Sequence, residues 1–167
     1  MVYVYYHLAT RTTMTAEAFI EGFSPRNFVY MAMDEDRCHI GKGPTLDHAR
    51  QIYGIQALTT LVEIYLKDLA KFCSCRLMVN QDQLTDLICI IVTQHKHMRV
   101  AELGLFFIKY KAGNYGKVYR ELYAMDITTA LLEWHTTCIQ RQNELLHEQF
   151  QRTMLHHNDE HFILMYE

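Results

Sequence analysis

Residues 80–93, NQDQLTDLICIIVT, are the most regularly patterned stretch of the chain. Leu84, Leu87, Ile88, Ile91 and Val92 recur at i, i+3, i+4, i+7 and i+8, the spacing that lines up side chains along one face of an α-helix. Asn80, just ahead, has a short side chain able to accept from an orphan N–H of a first helical turn. The stretch predicts a capped helix with one buried face. Such a face needs partners, and both flanks supply them. Upstream, Thr45 is a good N-cap following Pro44, and Asp47 puts negative charge where the helix dipole favours it. Leu46, Ala49, Ile52 and Tyr53 then run to Gly54, and Leu58, Leu61, Val62, Tyr65, Leu66, Leu69 and Phe72 continue the face, which predicts two helices or one kinked at Gly54. Downstream, Val100, Leu103, Phe106, Phe107 and Tyr110 predict a helix over 99–112, with Gly113 placed as its left-handed terminator. Gly104 inside it costs about 1 kcal/mol against Ala and marks a close helix contact.

The ends are less regular. VYVYYHL at residues 2–8 is β-branched and aromatic with no evident partner strand, so it reads as an arm on a helical body. MTAEAFIEGF, capped by Thr15, predicts a short helix closed by Gly22 and Pro25; DEDRCHIGKGP reads as the main loop of this third. Asp126 is expected to cap a long last helix carrying Ile127, Ala130, Leu131 and Trp134, whose polar continuation past about Arg141 contributes little to the core and projects towards a partner. The fold class is all-α: a compact bundle of about five helices with an extended N-terminal arm and a long C-terminal helix. It forms one domain over 1–167, with arm and loop at 1–43, core at 44–134 and a polar helix or tail at 135–167.

The composition fits one globular domain, at 167 residues with 50% hydrophobic and 21% charged. A formal net charge of -3 gives no overall attraction to polyanions, so any nucleic-acid role rests on a local patch. The first residues lack the pattern of a secretory leader, and the most apolar run, Leu87–Val92, is far short of a membrane span. Five scattered cysteines suit a reducing compartment, with Cys89 behaving as a small hydrophobe; the expected location is the cytoplasm.

Several motifs bear on chemistry. His157, Glu160 and His161 spell H-x-x-E-H, a zinc-hydrolase pattern, but too little chain follows to bring a further acidic ligand. Cys38, His39, Cys73 and Cys75 are zinc-ligand types without knuckle spacing, and read as partly buried thiols. Gly41 and Gly43 lack P-loop spacing. No metal, cofactor or catalytic residue is assigned. The most unusual stretch is FFIKYKAGNYGKVYR, residues 106–120, which holds Lys109, Lys111, Lys117 and Arg120 with Tyr110, Tyr115 and Tyr119 and no acid. Together with Lys96 and Arg99 it has the cations that neutralise phosphates and the rings that stack on bases. The same residues also suit a structural role, since Lys109 and Lys111 offset exposed carbonyls of a last helical turn.

Four segments, GPTLDHARQIYG, DLAKFCSC, AELGLFFIKYKAGNYGKVY and DITTALLEW, resemble a family of uncharacterised small helical proteins from gut bacteria and their phage-like or conjugative mobile elements. The core of the resemblance is ELxLFFxxxKAGxYGxxY, carried by Glu102, Leu103, Leu105, Phe106, Phe107, Lys111, Ala112, Gly113, Tyr115, Gly116 and Tyr119. It departs at Arg120, Glu121, Leu122, Tyr123 and Ala124, where members continue Gly-Ser-Val-Asp-Pro. The resemblance implies a helical fold and a mobile-element setting, with no activity. The functional expectation is a non-enzymatic binding protein of a replication or regulation system. It would engage DNA, RNA or a nucleic-acid-bound protein through Lys96, Arg99, Lys109, Lys111, Tyr115, Lys117, Tyr119 and Arg120. The competing expectation is an adaptor or oligomerisation module acting through the last helix, without nucleic acid or membrane.

Overall fold

The computed structural model describes residues 14–116 and 120–163, with side chains to residue 154. Seven α-helices are present among the described residues: α1 Ala16–Phe23, α2 Pro25–Phe28, α3 Glu35–Ile40, α4 Leu46–Phe72, α5 Gln81–Gln94, α6 Val100–Lys111 and α7 Ala124–Ile163. The two short strands are β1 Arg76–Met78 and β2 Glu121–Tyr123. The arm at residues 2–8 lies outside the described residues.

Helix α6 is the axis. Its run from Val100 to Phe107 is buried at every position, as expected for a helix apolar on all sides. Helices α4 and α1 pack against it, α5 packs on α4 and α7, and α3 and α7 close the other side. At Gly54, φ of 81° breaks α4 in two, a backbone state that glycine adopts without a Cβ penalty. Asn80 and Gln83 form a reciprocal capping box on α5, and Leu84, Leu87, Ile88, Ile91 and Val92 are all buried. The left-handed residue after α6 is Gly113, with φ of 86°. At Gly104 the contact is close: a Cβ there would stand 2.6 Å from the Tyr65 hydroxyl and 2.8 Å from the Phe28 ring.

Several expectations are corrected. The stretch DEDRCHIGKGP is not a loop, because Asp34 accepts from the Arg37 N–H and starts α3, which buries Cys38 and His39. Residues 1–43 are therefore not merely arm and loop: Phe19, Phe23 and Phe28 also sit in the core, and the Phe19 ring stacks on Tyr53 at 4.3 Å. Pro25 does not close the first helix but opens α2, since a first-turn proline loses no helical hydrogen bond. Asp126 is not the N-cap; it lies inside α7 and accepts from the Tyr123 N–H at the junction with β2. Strands β1 and β2 pair in parallel with Leu77 opposite Leu122, a pairing too short to show as alternation in the sequence. Ile52, Phe72 and Cys89 face outward rather than into the core. The inner packing of α7 continues past Arg141 as far as Leu145.

Candidate functional site

Among the described residues the basic side chains do not form one patch. Lys96 and Arg99 precede α6 whereas Lys109 and Lys111 end it, about 18 Å away along a helix of this length. Arg99 is used internally, its Nε donating to the His39 carbonyl and its Nη1 to the Gly43 carbonyl, both at 2.9 Å. Lys109 pairs with Glu35, and Lys111 pairs with Asp68 while its ammonium lies over the Phe72 ring at 5.5 Å. The Tyr115 ring leans on Phe106 and Tyr110, at 5.4 and 5.5 Å, and burial pushes its hydroxyl pKa up. Lys96 and Arg120 are exposed and make no ion pair among the described residues. Lys117 and Tyr119, like His157 and His161 as side chains, lie outside what the structure describes.

What the structure does bring together is a buried polar cluster at the start of α6. Glu102 is 0% exposed. One carboxylate oxygen, Oε2, accepts from the Arg99 backbone N–H at 2.8 Å, the back-reaching bond that a glutamate in the third helical position makes. The other, Oε1, lies 2.8 Å from His39 Nδ1 on α3 and accepts from Gln142 Nε2 on α7 at 2.7 Å. The Trp134 indole N–H donates to the Glu102 carbonyl at 3.1 Å. The Cys138 thiol, also on α7, completes the group: its sulfur, an imidazole nitrogen and a carboxylate oxygen all lie within 4.8 Å of one another. Burial, and then the neighbouring carboxylate, hold the Cys138 pKa well up. Cys38 is pushed to about 12 by burial and then by Asp34. Cys73 and Cys75 do not join this cluster. Beside it opens a cavity of about 310 Å³ lined by His39, Tyr115, Trp134 and Arg141 among others.

The second feature is the outer face of α7. Met125, Leu132, Ile139, Leu146, Phe150 and Met154 are 47–72% exposed. At 3.6 residues per turn they fall within an arc of about 80° and run for about 44 Å. The remaining residues of that arc, Thr128, Thr136 and Asn143, carry no charge. Its first turns border a groove of about 420 Å³ between α5 and α7, lined by Leu87, Ile90, His95, Met125 and Leu132 among others.

Both features draw on the second half of the chain, and that half is where a known family is met. Residues 78–156 match a family of unknown function (DUF6633). The DUF6633 match takes in α5, α6, β2 and most of α7, and with them Glu102, Cys138, Gln142 and the whole outer stripe. His39 lies before it. No curated protein and no solved structure matches the chain.

Sequence reasoning missed the cluster, although one signal was visible. Glu102 is the lone acid in an otherwise apolar run, and an acid there is either out of register with the buried face or held by partners. The partners His39, Cys138 and Gln142 come from helices far away in sequence, so nothing local announces them.

Proposed function

We propose that the protein is a non-enzymatic interaction module that self-associates, pairing the outer stripe of α7 with the same stripe of a second copy. The observation that carries this reading is the uncharged apolar arc from Met125 to Met154, exposed along a helix whose opposite face is packed as far as Leu145. Exposed apolar surface of this extent and continuity marks interaction sites on soluble proteins. A two-fold partner is favoured by the flanks. Glu133 and Glu144 border one side of the arc, Gln149 the other. A parallel pair sets acid against amide, whereas an antiparallel pair sets acid against acid. In the parallel register Asn143 meets its own copy, a polar contact that fixes register at some cost in stability.

The basic-turn reading is second. Its support is Arg120, exposed and without an ion-pair partner among the described residues, which follows in sequence directly on the stretch, Lys117 included, that resembles the mobile-element proteins. The internal use of Arg99, Lys109 and Lys111 is what puts it behind. A phage-like or conjugative element is the setting we favour for either reading.

Light scattering of the eluting full chain should give the mass of a dimer, and Ile139→Asp with Leu146→Asp should give a monomer of unchanged helical content. A wild-type monomer at tens of micromolar would overturn the proposal. If that monomer instead bound single- or double-stranded DNA or RNA, less tightly after Lys117→Glu with Arg120→Glu, the basic turn would take its place.

A further inference from the structure

We propose that His39, Glu102 and Cys138 form a binding site for one zinc-class divalent ion that clamps α3, α6 and α7 together. The three donors come from three helices, are 4%, 0% and 1% exposed, and converge within 4.8 Å. Around a tetrahedral zinc with bonds of about 2.0–2.3 Å, neighbouring donor atoms stand roughly 3.2–3.8 Å apart, so small adjustments of these side chains admit the ion. A set containing a thiol and an imidazole selects zinc-like metals over magnesium or calcium, which prefer all-oxygen surroundings.

Charge argues the same way. Glu102 is wholly buried and pairs with His39 at 2.8 Å, yet among the described residues no lysine or arginine side chain reaches its carboxylate: the guanidinium of Arg99 is spent on two backbone carbonyls, and that of Arg141 on Asp36 and Glu144. Buried charges are paired or coordinate metals. A divalent ion held by one thiolate, one carboxylate and one neutral imidazole gives a cluster of zero net charge. The exchange balances: the ion enters, the Cys138 S–H proton leaves to solvent, and no electron moves. Any proton held between His39 Nδ1 and Glu102 is displaced with it, because metal ligands bind in their deprotonated forms.

The surroundings already do what outer partners of a metal site do. The Arg99 N–H and the Gln142 amide orient the Glu102 carboxylate, and the Trp134 indole fixes the backbone that carries it. Of the three donors, His39 also lines the neighbouring cavity.

The test uses full-length protein stripped with a chelator and titrated with cobalt(II), then zinc(II). One cobalt per chain should bind with a near-ultraviolet thiolate-to-cobalt band, zinc should displace it, and zinc should raise Tm. Cys138→Ser should abolish the band and Glu102→Gln should weaken binding at least tenfold. His157→Ala with His161→Ala should leave both unchanged, which separates this site from the tail histidines. If Cys138→Ser fails to fold, Cys138→Ala takes its place. No stoichiometric cobalt in the wild type, a band that survives the Cys138 substitution, or a band lost with the tail histidines would each overturn the proposal.

Discussion

The two faces of α7 are built from similar material and have opposite fates. The inner face carries Ile127, Leu131, Trp134, Cys138 and Leu145, all buried against α3, α5 and α6; the outer carries Met125, Leu132, Ile139, Leu146, Phe150 and Met154, all open. On or beside the inner face Trp134 donates to the Glu102 backbone carbonyl and Gln142 and Cys138 reach its buried carboxylate, while the outer face offers Thr128, Thr136 and Asn143 and no charge. Apolar content alone does not say which face makes the monomer. The inner one is distinguished by polar groups that find partners, the outer by an uncharged, largely apolar arc that has none among the described residues.

The sharpest way to break this contrast is Trp134→Ala. It empties a buried indole site and removes the side-chain donor to the Glu102 carbonyl, so it should destabilise by about 3–5 kcal/mol, read as a lower denaturation midpoint. A loss below 1 kcal/mol would mean that α7 is not anchored where the structure puts it. Next in size is Gly104→Ala on the axial helix. Helix propensity favours alanine, yet the new methyl would displace the Tyr65 hydroxyl from the Phe23 carbonyl that it reaches at 2.7 Å. A net destabilisation of about 1–3 kcal/mol is expected, and a gain in stability would show that the contact yields easily.

Acidification probes the margin between the faces, where His95 lies edge-on to His135 with ring centroids 4.6 Å apart. Burial, and then the neighbouring His135, push the His95 pKa down to about 4 from its ordinary 6.5, and its Nδ1 has no hydrogen-bond partner among the described residues. Between those values the unfolded chain takes up a proton that the folded one refuses, so stability is full above about 6.5 and falls as pH drops towards 4. His95→Leu should flatten the Tm profile across that window; an unaltered slope would remove His95 as its source. The smallest effect on monomer stability is expected from Leu146→Asp with Phe150→Asp. At concentrations low enough to keep both proteins monomeric, it should change unfolding free energy by no more than about 0.5 kcal/mol. A larger loss would show that the outer face belongs to the monomer's fold. Asn143→Cys in a Cys89→Ser background should oxidise to a linked dimer if the pairing is parallel and in register.

The helices were legible wherever a local rule operates. Thr15, Thr45 and Asn80 cap where their side chains allow, Gly54 and Gly113 interrupt where positive φ is needed, and the period of Leu84 to Val92 names a buried face without reference to any partner. Helix α3 was hidden because Asp34, Glu35, Asp36 and Arg37 look like a charged loop, and only the docking of Cys38 and His39 makes six residues worth ordering as a helix. The basic turn was legible as composition but not as a surface, because the acids that claim Lys109 and Lys111 stand 74 and 43 residues away.

The sequence by itself determined where helices start, stop and bend, since these follow from hydrogen bonding and backbone sterics within a few residues. It also determined that the last helix would outrun its core. Tertiary structure alone decided that Glu102 would be met by His39, Cys138 and Gln142 and that one face of α7 would stay uncovered. Both outcomes depend on which distant helices come to lie side by side, and burial energy depends on that neighbourhood rather than on order along the chain.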